Sequence, residues 1–288
     1  MSRHFVLSAA LAALLAFACS ARADIGFNDF GSVSGLSLNG DAIRSGNVLR
    51  VVDPPVVPAG YQQQSQGSAW FLEKQTLSAG FDTEFTFNMN LVTDRGGDGF
   101  AFVIQNAPDG LAALGTGGSG LGYRQIPYSL AVEFDTVRIG ESAADDHVSV
   151  QSLGAAGNTH QDEATLAPGA VVLPFELDDA QNHVARILYA PGSMEVFIDN
   201  LFVPRLTVPV DLTDVHGNSI LDADGKAWVG FTAGTGLYQQ NHDIHSWQMT
   251  TVPEPSTCLL ALLGFAGAGI LARRRSSGGG SPQRAPRT

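Results

Sequence analysis

Hydrophobic and polar residues alternate with a period of two along the middle of the chain. The clearest run covers residues 81–91, where Phe, Thr, Met and Leu at odd-numbered positions alternate with Asp, Glu, Thr and Asn at even-numbered ones. Successive side chains of a strand point to opposite faces, so this run predicts a half-buried strand. Similar short runs, separated by Gly, Pro, Asn and Asp, predict further strands at 48–52, 99–105, 130–137, 147–151, 184–190, 194–199 and 228–232.

These short strands predict an all-β protein. No helical periodicity of comparable length competes with them, and no internal repeat divides the chain. The 33 Gly and 14 Pro among 288 residues suit a turn-rich fold, and only 15% of the residues are charged. We therefore expect a single two-sheet β-sandwich of jelly-roll type.

The positions of the cysteines and the net charge indicate how this sandwich is stabilised and which partners it can bind. Both cysteines, Cys19 and Cys258, lie in apolar terminal segments, so no disulfide can stabilise the middle of the chain. Residues 24–252 carry 9 basic and 27 acidic side chains, a net charge of −18, against −12 for the whole chain. Such a charge repels phosphate backbones and anionic lipid, so we expect no nucleic-acid partner. Cations and neutral polar ligands are compatible with it.

The N-terminus has the features of a secretory signal peptide. Arg3 and His4 precede an apolar run over residues 5–18, and small residues follow up to Ala23. We expect residues 1–23 to be removed. The apolar run is shorter than the roughly 20 residues of a membrane-spanning helix, which argues against a permanent anchor. Cleavage as a lipoprotein at Cys19 is the other alternative.

The C-terminus combines three features in a fixed order: the sequence "VPEPS" from Val252, an uncharged apolar stretch over residues 257–272, and Arg273-Arg274-Arg275. This arrangement resembles the PEP-CTERM sorting signal of Gram-negative bacteria. The resemblance implies processing by an exosortase and export to the cell surface or an exopolysaccharide matrix. The alternative is a permanent inner-membrane anchor with the arginines in the cytoplasm.

Four segments follow from these terminal signals. We expect a signal peptide over 1–23, a sandwich domain over 24–251, a sorting and anchor segment over 252–275, and a disordered tail over 276–288.

Acidic residues concentrate at one predicted strand and the loop after it. Glu133 and Asp135 are two residues apart, so their side chains share a face, and they repel each other unless a cation or a proton lies between them. The loop that follows contributes Glu141, Asp145, Asp146 and His147. Carboxylate-rich sites suit Ca²⁺, and sites that mix carboxylates with His suit Mn²⁺. A solvated acidic loop is the alternative.

Several segments, which follow one another in a characteristic order over most of residues 26–250, resemble the L-type, legume-lectin-like domains of the concanavalin-like superfamily. They include "LNGDAI", "GSAWF", "GDGFAFVIQN", "GLGY", "SLAVEFDT", "HVSV" and "WVGFTAGTG". The resemblance implies a concanavalin-like jelly roll that binds carbohydrate, with calcium support, through loops at one end of the sandwich.

The resemblance also implies roles for individual residues. Glu133, Asp135 and His147 match the transition-metal ligands, and Asp135 also matches a calcium ligand. Val137 matches a residue that offers its backbone carbonyl to calcium. A second aspartate matches either Asp145 or Asp146.

The sugar-binding positions are implied in the same way. Asp98 matches an aspartate that accepts hydrogen bonds from sugar hydroxyls, usually after a cis peptide bond. The other matching positions lie in two glycine-containing loops, Gly118, Ser119 and Gly120 in one and Gly236 and Leu237 in the other.

The chain departs from the family at two binding positions. Ile139 stands where the family has a calcium-ligating Asn, and Val137 stands where it has an aromatic platform. Glu141 is a candidate replacement for the Asn. Tyr123 and Tyr238 are candidate stacking residues for a sugar ring.

The expected function is therefore binding without catalysis: an exported lectin-like protein for a polysaccharide or glycoconjugate, with Ca²⁺ and Mn²⁺ as candidate cofactors. One alternative is a surface or matrix protein that keeps the sandwich and has lost sugar binding. Another is a glycoside hydrolase with the pattern Glu-x-Asp-x-x-Glu. Glu133 and Asp135 begin that pattern, but Arg138 stands at the position of its second Glu, so the acid/base carboxylate is missing.

Overall fold

A computed structural model describes residues 25–54, 64–91, 96–237 and 239–252. Residues 22–252 form one compact unit by their internal contacts. The predicted signal peptide, the sorting segment and Tyr238 lie outside the described residues. Within those residues, no helix has the length and apolar character needed to cross a membrane.

The described residues are almost entirely β-structure, connected by loops and three short 3₁₀ helices at Gly110–Ala112, Gly118–Gly120 and Asp162–Ala164. The strands in chain order are β1 (Ile25–Phe27), β2 (Leu36–Gly40), β3 (Ile43–Ser45), β4 (Val48–Val52), β5 (Ser65–Phe71), β6 (Gln75–Thr76), β7 (Phe81–Leu91), β8 (Gly99–Gln105), β9 (Ser129–Asp135), β10 (His147–Gln151), β11 (Val171–Val172), β12 (His183–Ala190), β13 (Ser193–Ile198), β14 (Leu206–Val208), β15 (Lys226–Thr235) and β16 (Gln240–Thr251).

Two antiparallel sheets contain these strands. The first has the order β14-β13-β12-β7-β16-β4-β3, and β1 adds to β16. The second has the order β11-β10-β9-β8-β15-β5-β2, and β6 adds to β15. Neighbours in space are often distant in sequence, as with β7 beside β16 and β8 beside β15. The observed architecture confirms the predicted all-β, two-sheet sandwich of the legume-lectin type.

The core between the sheets is rich in aromatic rings. Phe85 of β7 lies at its centre, with ring centroids 5.0–6.2 Å from those of Phe87, Phe100, Phe102, Phe134 and Phe231. Its side chain is buried, and the neighbours come from both sheets. Hydrophobic contact across the sandwich therefore compensates for the absence of disulfides in the middle of the chain.

A second, smaller apolar cluster lies on the outer face of the second sheet. Trp70, Ala101, Val103 and Ala131 from the strands pack against Leu121 and other residues of the loop between β8 and β9. The indole N–H of Trp70 donates to the backbone oxygen of Ala113 in the same loop at 2.8 Å. This loop therefore covers the outer face of β9, the face that also carries Glu133.

The alternating pattern predicted some strands accurately and missed others. The predicted bounds of β4, β7, β8 and β10 agree with the structure, whereas β15 is longer than expected and β9 ends at Asp135. The strands β5 and β16 were missed because their buried positions are small or polar, as with Ser68, Gln240 and His242. Burial of such residues breaks the alternation that identifies a strand.

We predict that Phe85→Ala lowers the free energy of unfolding by about 3–5 kcal/mol, because it leaves a cavity at the centre of the aromatic core. Denaturant unfolding followed by tryptophan fluorescence measures the effect. The matched control is Phe202→Ala, since Phe202 is 94% exposed, and its effect should stay within about 0.5 kcal/mol. Equal effects of the two substitutions would contradict the proposed core.

Candidate functional site

Asp98 is held where three chain segments meet at one end of the second sheet. Its backbone N–H donates to the Gly234 carbonyl oxygen at the end of β15, at 3.1 Å. Its own carbonyl oxygen accepts from the backbone N–H and the hydroxyl of Thr136, at 2.9 and 3.0 Å, just after β9. The peptide bond between Gly97 and Asp98 is cis, as the resemblance implies. The backbone of Asp98 is thus fixed between β9 and β15.

Gly236 lies directly beside the Asp98 carboxylate, and Gly118 lies next to Gly236. A Cβ atom added to Gly236 would lie 3.1 Å from Oδ1 of Asp98 and 3.4 Å from the Cα of Gly118. The backbone of Gly236 also hydrogen-bonds to the Asp98 carboxylate, while Oδ2 of Asp98 is buried and has no partner among the residues that the structure describes. The structure therefore brings Asp98, Gly118 and Gly236 together, as expected from the sequence.

The remaining residues of the two glycine loops surround this point. Ser119 is half-buried, and the N–H of Gly120 donates to the carbonyl oxygen of Gly117 at 3.2 Å, closing a 3₁₀ turn. Leu237 follows Gly236 and is 55% exposed. The chain thus presents an apolar side chain to solvent directly after Gly236.

Glu133 is fully buried on the outer face of β9, and its carboxylate oxygens are occupied by hydrogen bonds. Oε1 accepts from the hydroxyl of Ser149 at 2.5 Å and from the amide of Gln151 at 2.7 Å. Oε2 accepts from the hydroxyl of Tyr123 at 2.5 Å. Burial favours a higher pKa for Glu133, but the contact with His147 and the hydroxyl donors outweigh burial and lower its pKa.

His147 pairs with Glu133 across β9 and β10. Its Nε2 lies 3.6 Å from Oε1 of Glu133, and its Nδ1 lies 2.9 Å from the carbonyl oxygen of Ala144. Burial favours a lower pKa for His147, but Glu133 and the Ala144 carbonyl outweigh it and raise its pKa above the ordinary value. The two side chains therefore form a buried pair in which His147 compensates the charge of Glu133.

Asp135 is the last residue of β9, and Glu141 in the following loop is close enough for its charge to act on Asp135. Asp135 is buried and accepts the N–H of Val137 at 2.7 Å through Oδ1. Burial and the charge of Glu133 raise its pKa well above the ordinary value, and Glu141 and Asp98 add to this shift. Glu141 is also buried: Oε1 accepts the N–H of Ile139 at 2.5 Å, and Oε2 has no hydrogen-bond partner within the described part of the chain.

The two candidates for the second aspartate are placed differently. Asp145 is exposed and accepts the N–H of Arg138 at 2.7 Å through Oδ1, at the rim of the loop. Asp146 turns away from the cluster, because its Oδ1 accepts the N–H of Leu177 at 2.8 Å. Across the described ranges, no three side chains of His, Cys, Asp or Glu are already arranged to hold a metal ion.

The residues near Asp135 fit a hard cation better than those near Glu133. The Asp135 carboxylate and the orphaned oxygen of buried Glu141 are the kind of ligand that Ca²⁺ prefers, and a backbone carbonyl such as that of Val137 can add to them. Glu133, by contrast, has its oxygens engaged by protein donors.

The structure revises one expected role and adds a residue that the sequence did not indicate. Tyr123 is fully buried and donates to Glu133, so it offers no face to a sugar ring, contrary to expectation. Gln64 lies beside the binding loops: a Cβ atom added to Gly118 would lie 3.4 Å from its amide nitrogen. No motif marks Gln64, because its role depends on which loop lies beside the start of β5 in the folded chain.

The Asp98 carboxyl has a perturbed pKa that predicts a pH dependence of stability. Burial, reinforced by Glu141 and opposed by the bond from Gly236, raises the pKa of Asp98 from 3.8 to about 7. A raised folded-state pKa favours the folded protein below about pH 4, and this advantage is lost as the pH rises to about 7.

We therefore predict that, in chelator, the stability of the wild type relative to Asp98→Asn falls between about pH 4 and pH 7. The fall should be on the order of 4 kcal/mol at most, because the carboxyl ionises at a cost that the amide avoids. Chemical unfolding of both proteins across this pH range measures the difference. A difference that stays constant with pH would contradict the buried, uncompensated carboxyl.

Comparison with known proteins supports the same fold. The chain matches the legume lectin domain family over residues 23–259 and the PEP-CTERM protein-sorting motif over residues 251–275. The structure superimposes on a lectin from Bauhinia forficata in complex with GalNAc, with a TM-score of 0.61 and 20% identity. That match covers 78% of this chain and 96% of the lectin.

Two sequence relatives are plant lectins. Agglutinin-2 of Cladrastis kentukea is 28% identical over 179 residues, which cover 59% of this chain and 57% of that protein. The alpha-methyl-mannoside-specific lectin of Arachis hypogaea is 28% identical over 250 residues, which cover 78% of this chain and 82% of that protein. Lectins are non-enzymatic, and members of the family usually bind Ca²⁺ and Mn²⁺. The chain carries a PEP-CTERM sorting motif at its C-terminal side. Because the legume lectin domain family matches most of the chain, the chain belongs to this family of carbohydrate-binding proteins.

Proposed function

We propose that this protein is an exported lectin that binds a polysaccharide or glycoconjugate at the Asp98 site. The observation that carries the proposal is the buried Asp98 carboxylate, which lies near two glycine loops and has one oxygen without a partner among the described residues. An unpartnered buried acceptor is costly, and a hydroxyl donor from a ligand removes that cost. The remaining loop residues assigned to the site are Ser119, Gly120 and Leu237, with Gly118 and Gly236 beside the carboxylate.

The chemistry of the site suits a neutral, hydroxyl-rich ligand. Sugar hydroxyls can donate to the ionised Asp98 carboxylate, and charge-assisted hydrogen bonds of this kind are stronger than neutral ones. Gly118 and Gly236 carry no side chains, so a ring can approach the backbone there. Leu237 offers apolar surface to the carbon face of a sugar, while the acidic domain disfavours polyanionic ligands.

We further propose that Ca²⁺ supports this site. Asp135, Glu141 and the carbonyl oxygen of Val137 would hold the ion, and its positive charge would balance the buried carboxylates. Hydrogen bonds from Thr136 join the backbone of Asp98 to the chain segment that carries Asp135. Bound Ca²⁺ would restrict the motion of Asp135, and the hydrogen bonds from Thr136 would in turn hold Asp98 in position.

The terminal segments support a location outside the cytoplasm. The sorting motif at residues 251–275 supports processing by an exosortase and delivery to the cell surface or an extracellular matrix. With the predicted signal peptide at 1–23, it leaves 24–251 as the exported sandwich and 276–288 as a tail. Before processing, the apolar segment would hold the protein in the inner membrane.

A second candidate function is a surface or matrix protein that no longer binds sugar. The observation that favours it is Ile139, which is 40% exposed where the family has a calcium-ligating Asn. A glycan array with the purified full chain, with calcium and with chelator, separates the two candidates. Retention of a glycan that chelator reverses supports the lectin, and no retention under either condition supports the matrix protein.

We predict that Asp98→Ala weakens binding of the retained glycan by about tenfold or more, because a charge-assisted hydrogen bond is lost. Calorimetric titration of the glycan measures the change. Asp109→Ala is the matched control, since Asp109 is exposed and lies outside the site, and its affinity should not change. Wild-type affinity in a folded Asp98→Ala variant would remove Asp98 from the site.

A further inference from the structure

The oxygen of Glu133 that faces His147 is already saturated by protein donors. A carboxylate oxygen has about two lone pairs, and Oε1 of Glu133 accepts from both Ser149 and Gln151. The other oxygen accepts from Tyr123. A transition metal bound by Glu133 and His147 needs a free lone pair on a carboxylate oxygen, with a metal–oxygen distance of about 2.0–2.2 Å. The two hydrogen bonds to Oε1 occupy both lone pairs of the oxygen nearest His147, which is the oxygen that such a metal would share with the imidazole.

The donors come from places that hold them firmly. Ser149 lies directly opposite Glu133 in the pairing of β9 with β10, and Gln151 lies two residues further along the same strand. Gln151 also donates to Ser149 at 2.8 Å, and Tyr123 is fully buried. Because each donor belongs to a strand or to the packed outer cluster, the hydrogen bonds are part of the fold and not a mobile arrangement.

The Glu141 carboxylate lies against the backbone of Ile139, the residue that the resemblance matches to the family's calcium-ligating Asn. Its Oε1 accepts the N–H of Ile139, so the carboxylate lies against the backbone of that position. Its Oε2 is buried without a partner, and its charge acts on both Asp98 and Asp135. The carboxylate therefore has a free oxygen in the region where a cation would bind.

We propose that this chain has a single cation site, in which Glu141 and Asp135 bind Ca²⁺, and that the transition-metal position is replaced by the hydrogen-bonded pair of Glu133 and His147. This inference rests on the proposed calcium-supported function and makes it specific. It predicts one bound Ca²⁺ per chain and no separate site for Mn²⁺.

The role of Glu141 is tested by calorimetric titration of Ca²⁺ into the chelator-treated full chain. Glu141→Gln keeps the shape of the side chain and should weaken Ca²⁺ binding by about tenfold or more, because a charged oxygen ligand is replaced by an amide. Glu163→Gln makes the same charge change at an exposed position and should leave the affinity within about twofold. Unchanged Ca²⁺ affinity in a folded Glu141→Gln variant would overturn the assignment.

The absence of a second site is tested on the wild type, so it does not depend on a variant that folds. Mn²⁺ is titrated into the Ca²⁺-saturated protein and followed by electron paramagnetic resonance of the free ion. All Mn²⁺ should remain free until it competes with Ca²⁺. A second bound equivalent, or no Ca²⁺ binding at all, would overturn the inference.

The same samples are then tested for glycan retention. Loss of Ca²⁺ affinity in Glu141→Gln with no glycan retained by the wild type would leave the cation site standing and reject the lectin function. Glycan retention together with Mn²⁺ bound at a second site would support the lectin function and reject the single cation site.

Discussion

A carboxylate buried inside a β-sandwich must be compensated, and the arrangement around Glu133 meets this requirement. An isolated buried charge would cost several kcal/mol, far more than one side chain can gain by packing. Here the compensation comes from both sides: Ser149 and His147 belong to the neighbouring strand, and Tyr123 belongs to the loop that covers the sheet. The covering loop is therefore tied to β9 by a polar contact as well as by its apolar cluster.

The buried carboxylates at the loop end of the sandwich lack the full set of hydrogen-bond donors that surrounds Glu133. Asp135 is only two residues beyond Glu133 on the same face, and its Oδ1 accepts the backbone N–H of Val137. Asp98 and Glu141 each keep a buried oxygen without a partner nearby. The carboxylate of Glu133 has hydrogen-bond donors, whereas Asp98 and Glu141 keep oxygens that could still accept. A ligand that supplies donors or a cation would therefore bind favourably beside Asp98 and Glu141.

Much of this fold can be predicted from the sequence, and the reason is the regular spacing of strands. A period of two was enough to identify β7 and β8 and to place Glu133 and Asp135 on one face. The same rule failed for β16, where Gln240 and His242 are buried polar residues.

The site could be predicted only where family motifs fix the position of a residue. Asp98, Gly118 and Gly236 come together as their motifs imply. Tyr123 and Gln64 depend on the path of loops, for which the sequence has no periodic signal, and the direction of the Glu141 side chain depends on a single hydrogen bond to Ile139.

The course of the last strand determines where the domain ends relative to the Asp98 loops. β16 starts at Gln240, three residues after Leu237, and ends at Thr251 beside β1 and the start of β7. Twelve residues of strand span roughly 40 Å. Thr251 and Val252 therefore lie at the end of the sandwich opposite the Asp98 loops. A ligand bound at those loops would lie a full strand length away from Val252.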